Sequence, residues 1–270
     1  MKYQVQMILM AQLMVMANNK LVDLHNHILF GMDDGAQSLN DSLYMLNQAI
    51  NQGITQLVLT PHFNPITDDY ESFISKRNRN MSYLREIIED HNLALNLKVG
   101  AEIYFSTELV NRDLSDLCIE NTDYLLIELP THSMPNNLLQ HLYTLIQSGY
   151  RIVLAHIERY AYLKEESELL VELIKHGVLM QVNGSSFLSK KHKNFIKSAI
   201  KNDLIHLVAS DAHNNKDRIL NTRLALDAIA GDYGEDVARR FNHNAQSVFD
   251  NKVPDIMMPT KMKYLFGRFF

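Results

Sequence analysis

Histidines and acids recur where apolar runs end. Asp23-Leu24-His25-Asn26-His27 closes the first run, and its two histidines are two residues apart. On an extended strand they point to one face. Such a pair can hold a metal ion, or it can be two polar residues leaving a core; alone it fits both. His62 follows the second run in Thr60-Pro61-His62, and Glu102 the third in Gly100-Ala101-Glu102-Ile103-Tyr104. His156 follows the fifth in Ala155-His156-Ile157-Glu158-Arg159, and Asp211 and His213 follow the seventh. A histidine or acid after five of seven runs is hard to ascribe to chance. Imidazole mixed with carboxylate suits a first-row divalent cation. The donors are too many for one ion, and a bridging carboxylate would allow two or three. Paired ions generate hydroxide near neutral pH and stabilise both oxygens of an in-line displacement.

Two arginines point to the substrate. Arg159 lies three residues after His156, and Arg218 five after His213. A guanidinium there matches phosphate oxygens bidentately, although a surface ion pair is the plainer alternative. Other phosphate chemistry fails on paper. A cysteine nucleophile needs an arginine six residues on, but six after Cys118 stands Tyr124, with no glycine between. Cys118 therefore reads as a buried apolar residue. No Walker-type loop and no Gly-x-Ser-x-Gly elbow occurs.

The elements that must position these groups are short. Apolar runs at 21–24, 56–60, 95–100, 124–129, 151–155, 178–182 and 206–209 predict strands. Most are near-continuous, as for strands buried on both faces of a parallel sheet. Helical spacing begins after the N-cap Ser38 and stops at Gly53, and recurs over 69–90, 136–147, 160–176, 190–201, 218–230 and 235–242. A helix after each strand gives repeated βα units in one barrel-like domain over 21–250. A polar excursion at 64–80 is a candidate rim element.

Composition sets the limits. A chain of 270 residues with 46% hydrophobic and 21% charged residues reads as globular. Its net charge of −5 gives no electrostatic footprint for nucleic acid. One cysteine excludes an internal disulfide framework and fits a cytoplasmic setting. The apolar stretch 7–17 is shorter than the ~20 residues that span a bilayer and makes a weak signal peptide. Residues 1–20 thus read as an N-terminal extension or as a start-site artefact with Met16 as first residue. The basic, aromatic tail within 251–270 is expected to dock on the barrel rather than on a membrane or a partner.

The ordered set as a whole is specific. It comprises Asp23-Leu24-His25-Asn26-His27, Asp33-Asp34-Gly35, Thr60-Pro61-His62 and Gly100-Ala101-Glu102-Ile103-Tyr104. It continues with Ala155-His156-Ile157-Glu158-Arg159-Tyr160, Gln181-Val182-Asn183 and Ser210-Asp211-Ala212-His213-Asn214. From about residue 20 to about 250 the chain resembles the polymerase-and-histidinol-phosphatase (PHP) superfamily. Within it, the chain resembles the bacterial PHP-type protein-tyrosine phosphatases of capsule and exopolysaccharide clusters. The resemblance implies a single-domain α/β fold, a distorted (β/α)7 barrel, with three divalent ions: manganese first, zinc or iron as alternatives. By position, His25, His27, Glu102 and Asp211 would hold the first ion. Glu102 would bridge to a second ion bound also by His156, a set that leaves room for a further donor. Asp34, His62 and His213 would hold the third, with Asp33 competing for the place of Asp34, and Arg159 and Arg218 would grip the phosphate.

The implied reaction is hydrolysis of phosphotyrosine by a metal-activated water. The implied partner is an autophosphorylating tyrosine kinase that controls polysaccharide synthesis and export, with membrane association only through that partner and oligomerisation left open. Three other readings compete. They are a small-molecule phosphatase such as a histidinol-phosphate phosphatase, a metal-dependent hydrolase of another bond, and a non-catalytic module that binds metal or a kinase tail. A degraded donor set would mark the last, and here every position is filled.

Overall fold

The structure is a computed structural model that describes residues 20–265 and 268–269; the extension at 1–19 lies outside these residues. Strand β1 (Leu21–Asn26) pairs in parallel with β2 (Ile54–Leu59), and β2 with β4 (Asn96–Val99). The second and third strands do not run straight through. Pro61 has no N–H to give a ladder, and beyond it β3 (His62–Phe63) takes a new neighbour, β5 (Glu102–Tyr104), which continues β4 past Gly100 and Ala101. Next, in sequence order and all parallel, come β6 (Tyr124–Glu128), β7 (Arg151–Leu154), β8 (Leu179–Asn183) and β9 (Leu207–Ala209). The result is an α/β fold with parallel sheets of three and six strands. Past β9 the chain returns to β1: Asn26 and Ala212 form a parallel bridge, and Asp211 N–H donates to the His25 oxygen at 2.8 Å.

Burial on both strand faces accounts for the continuous apolar runs. One face gathers Val22, Leu24, Val58, Leu126, Val153, Leu179 and Leu207 against Val248 and Phe249 of a C-terminal helix, α9 (Glu235–Phe249). The other turns Leu57, Ile127, Leu154 and Val182 into the main core with the remaining helices. Each such side chain contributes about 1.5–3 kcal/mol on burial.

The helices follow the sequence with instructive exceptions. Helix α1 (Leu39–Asn51) starts at a capping box: Asp41 N–H donates to the Ser38 hydroxyl at 3.3 Å, and Ser38 N–H to the Asp41 carboxylate at 2.9 Å. Helix α2 (Tyr70–Asp90) is capped by Asp69 and forms most of the rim excursion. It also braces the site: Asn80 donates to the Phe30 oxygen at 2.9 Å, and the Arg77 guanidinium to the Gly100 oxygen at 3.2 Å. The third strand is not followed by an α-helix; two 3-10 turns, Thr107–Asn111 and Ser115–Leu117, make that connection. After α3 (Leu138–Gln147), the helix expected over 160–176 divides at Glu166 into α4 (Ala161–Glu165) and α5 (Ser167–Lys175). Helix α6 (Gly184–Leu188) carried no periodic signal, and α7 (Lys193–Lys201) is preceded by a 3-10 turn. The helix expected from 218 starts later, as α8 (Thr222–Tyr233), because the Asn214 side chain accepts from the N–H groups of Lys216, Asp217 and Arg218 and folds them into a turn. In the tail, β10 (Tyr264–Leu265) and β11 (Arg268–Phe269) pair antiparallel, and Phe269 packs on Phe195 of α7. No helix among the described residues is long and apolar enough to cross a membrane.

Ile127, fully buried at mid-sheet, is a test of this packing. Ile127→Ala should cost about 2–5 kcal/mol, read from the urea midpoint at unchanged slope. A loss below about 1 kcal/mol would contradict the burial described here.

Candidate metal centre

The C-terminal ends of the strands meet around one carboxylate. Glu102 begins β5, next in register to His62 of β3. Its Oε2 lies 3.1 Å from His25 Nε2, 3.2 Å from His27 Nε2 and 3.0 Å from His62 Nδ1. Its Oε1 lies 2.8 Å from His156 Nε2. Asp211 adds an oxygen 3.5 Å and 3.6 Å from the same two nitrogens of His25 and His27. Asp34, at the mouth and 67% exposed, lies 3.6 Å from His62 Nε2 and 3.4 Å from His213 Nε2. All eight residues expected to ligate metal are thus brought together, with both expected arginines.

Supporting groups hold the rings. Asp33 faces His27 Nδ1 at 2.6 Å, on the side of the ring away from the cluster, and accepts from the N–H groups of Gly35 and His62. Asp33 is therefore placed to orient His27, while its neighbour Asp34 faces His62 and His213. Gln181 Oε1 accepts from His156 N–H at 2.8 Å and lies 3.2 Å from His25 Nδ1. The Tyr160 oxygen accepts from Leu129 N–H and lies 3.1 Å from His156 Nδ1. Asn183 donates to Asp211 at 2.7 Å. The backbone turns sharply at two of these positions: His156 has φ of 33° and Asp211 of 53°. Left-handed conformations in non-glycine residues cost about 1–3 kcal/mol and cluster at functional sites.

Burial opposes charge throughout, and neighbours decide which groups keep it. Burial works against the Glu102 carboxylate, but the charge on His25, with the hydrogen bond to His156 and the close His25 and His27 rings, holds it well below the usual range. His27 is raised to about 10 against burial, through Asp33 and Glu102. Burial, then His27, pushes His213 down to about 3, and burial also lowers His156. Within this set, Glu102 Oε2 and His213 Nε2 are buried without a hydrogen-bond partner. Convergent lone pairs with unpartnered buried atoms fit divalent cations. Among the described residues four groups bring their donor atoms within 4.8 Å of one another: His25, His27, Glu102 and Asp211; His27, His62 and His213; His62, Glu102 and Glu128; and Asp33, Asp34 and His62.

Glu128 is the residue that the motifs missed. It ends β6 between Ile127 and Leu129, 3.6 Å from His156 Nε2 and 3.9 Å from His62 Nδ1. Burial, then the charge on Glu102, pushes it up to about 7. A lone acid closing an apolar strand was the available signal. Arg159 and Arg218 approach from the solvent side, 36% and 35% exposed, and both donate to the buried Asp211, one to each oxygen. Cys118 is buried elsewhere, its thiol raised to about 12 by burial and then by Asp123, Asp113 and Asp116.

Comparison with known proteins identifies the family. Residues 21–250 match the family described as "Capsular polysaccharide synthesis, CpsB/CapC". The chain is 34% identical over 257 residues to the tyrosine-protein phosphatase YwqE of Bacillus subtilis, covering 92% of this chain and all of that one. It is 33% identical over 258 residues to a putative tyrosine-protein phosphatase CapC of Staphylococcus aureus, covering 92% and 99%. Among solved structures it matches, at a TM-score of 0.81 and 31% identity over 90% of this chain and 100% of the other, one of those described as YwqE from Bacillus subtilis and CpsB from Streptococcus pneumoniae, "unique metal-dependent tyrosine phosphatases". The resemblance read from the motifs is borne out.

Two outcomes follow from the geometry. A Cβ at Gly35 would sit 2.2 Å from the His27 oxygen and 2.4 Å from its Cβ, so the backbone must shift. Gly35→Ala should destabilise by about 1–3 kcal/mol and lower bound metal, checked by thermal unfolding and elemental analysis; wild-type metal content would contradict it. His27, raised from 6.5 to about 10, keeps its proton through the neutral range and must release it to coordinate. Metal affinity should therefore rise with pH up to about 10, with protons released on binding. Calorimetry at about pH 8 in buffers of different ionisation enthalpy checks this; a buffer-independent heat would count against it.

Proposed function

Because the chain belongs to the CpsB/CapC family of capsular polysaccharide synthesis, we propose that it is a metal-dependent protein-tyrosine phosphatase that hydrolyses phosphotyrosine with an activated water. One observation carries this reading: Arg159 and Arg218 lean side by side on Asp211, at the open side of a buried cluster of imidazoles and carboxylates. That is a grip for a dianion beside donors for divalent cations, with no thiol in the cluster.

In this reading three ions are held, manganese by preference. His25, His27, Glu102 and Asp211 take the first. Glu102, His156 and Glu128 take the second, which supplies the further donor that His156 and Glu102 alone left room for. Asp34, His62 and His213 take the third. Bound ions supply Lewis-acid charge and a water activated for in-line attack. The rest falls to the chain. Asp211 fixes both guanidinium planes before substrate arrives, so their free N–H groups are aimed at non-bridging phosphate oxygens at little cost in reorganisation. Asp33, Gln181 and Tyr160 hold the imidazoles in orientation from their far nitrogens.

We read the sheets as a distorted (β/α)7 barrel, a reading supported by the bridge from Asn26 to Ala212 between first and last strands. The substrate we assign is the phosphotyrosine of an autophosphorylating tyrosine kinase of polysaccharide export. The names of the relatives support a phosphotyrosine protein as substrate, and the family's description supports a role in polysaccharide synthesis. We place the protein in the cytoplasm, in keeping with its one free, buried cysteine.

With manganese, the purified protein should hydrolyse a phosphotyrosine peptide. Excess chelator should abolish turnover and added manganese restore it, while a thiol alkylator leaves it unchanged. Full activity in metal-free protein would sink the reading. Arg159→Ala should lower kcat/KM on an aryl phosphate by about 100-fold or more at retained metal content. An unchanged kcat/KM would remove Arg159 from the phosphate grip.

A further inference from the structure

Beside Arg159 lies a basic surface that the phosphate grip does not use. Lys164 of α4 donates to the backbone oxygen of Glu158, the residue before Arg159, at 2.9 Å. Its ammonium also lies 5.9 Å from the ring centre of Phe195 on α7, which brings that helix start against the Arg159 turn. Ahead of α7, Lys190–His192 forms a 3-10 turn, ordered where Lys191 N–H donates to the Ser189 hydroxyl. The Glu158 carboxylate fixes the start of the same connection, accepting from Asn183 N–H and the Ser186 hydroxyl. Lys191 is exposed and forms no ion pair among the described residues, in a chain of net charge −5. Lys191 and His192 lie directly ahead of the helix whose Phe195 faces Lys164, so the two lysines border one patch beside the Arg159 turn; in keeping with this, burial first, then Lys164, Lys191 and Arg159, push the His192 imidazole down. The acids nearby are few: Glu158 and Glu165 act on Lys164, and Asp232 lines a separate cleft with Lys190 and Lys193.

We propose that Lys164 and Lys191, beside His192, form a subsite for a second anionic side chain on the peptide that carries the phosphotyrosine. Cations held close together repel one another, and an anion bound among them offsets that repulsion. A carboxylate or a second phosphate has the required chemistry. The inference rests on the phosphatase reading above.

The test compares kcat/KM for three phosphotyrosine peptides, flanked by glutamine, by glutamate or by phosphoserine. The wild type should prefer glutamate to glutamine by about three- to fivefold at low salt, and phosphoserine by more. The preference should shrink toward one at about 0.5 M salt and in the Lys164→Gln/Lys191→Gln variant. Equal wild-type values, or a preference that survives in the variant, would overturn the subsite. Turnover of no peptide would instead contradict the phosphatase reading; fluorescence anisotropy with the same peptides then decides the subsite, and equal affinities would overturn it.

Discussion

Glu102 sits wholly buried with four imidazoles around its carboxylate, and the architecture is arranged about that burden. An ionised carboxylate taken out of water costs several kcal/mol unless its lone pairs are met. Here four imidazoles face them, carried on or just past three strands, β1, β3 and β7. That requires the strands to be parallel, to end at one level, and to be pinned there. The pins are visible: Arg77 on the Gly100 oxygen, Asn80 on the Phe30 oxygen, and the exchange of hydrogen bonds that ties residues 211 and 212 to β1. The breaks at Thr60-Pro61 and Gly100-Ala101 serve the same end, because they let His62 and Glu102 pair in register after the first sheet stops.

Protons and metal ions compete for the same atoms. His25 and His27 are held in the protonated direction by Glu102 and by Asp211 or Asp33, whereas His156 and His213 are held neutral, chiefly by burial. The cluster therefore combines groups ready to coordinate with groups that must first give up a proton. In the proposed function Asp211 would link this chemistry to recognition. It offers an oxygen toward His25 and His27 and holds Arg159 and Arg218. A change at Asp211 should disturb both metal and phosphate binding, and its left-handed backbone shows that the chain accepts strain to keep it there.

The sequence was legible where burial and spacing left a pattern. Both-face burial made most strands near-continuous apolar runs, and the histidines at or just past the ends of β1, β2 and β7 stood out against those runs. Glu128 did not, because a single acid between Ile127 and Leu129 carries no motif and reads as part of the strand. Asp33 and Asp34 could not be told apart from spacing, since adjacent residues in a loop take opposite directions only once the loop is folded. Helix boundaries failed where side chains outvoted propensity. Asn214 folds 216–218 into a turn ahead of α8, and the 160–176 pattern has a break at Glu166 that periodicity does not register. The short α6 lies below the length at which periodicity can be read.

In the proposed function Glu102 would be shared between ions rather than buried for stability alone. Electron paramagnetic resonance of the manganese-loaded protein tests it most directly, because ions joined by one carboxylate are magnetically coupled. A coupled signal is expected in the wild type, collapsing toward that of isolated ions in Glu102→Gln. A wild-type protein at full occupancy that showed only isolated manganese would contradict it.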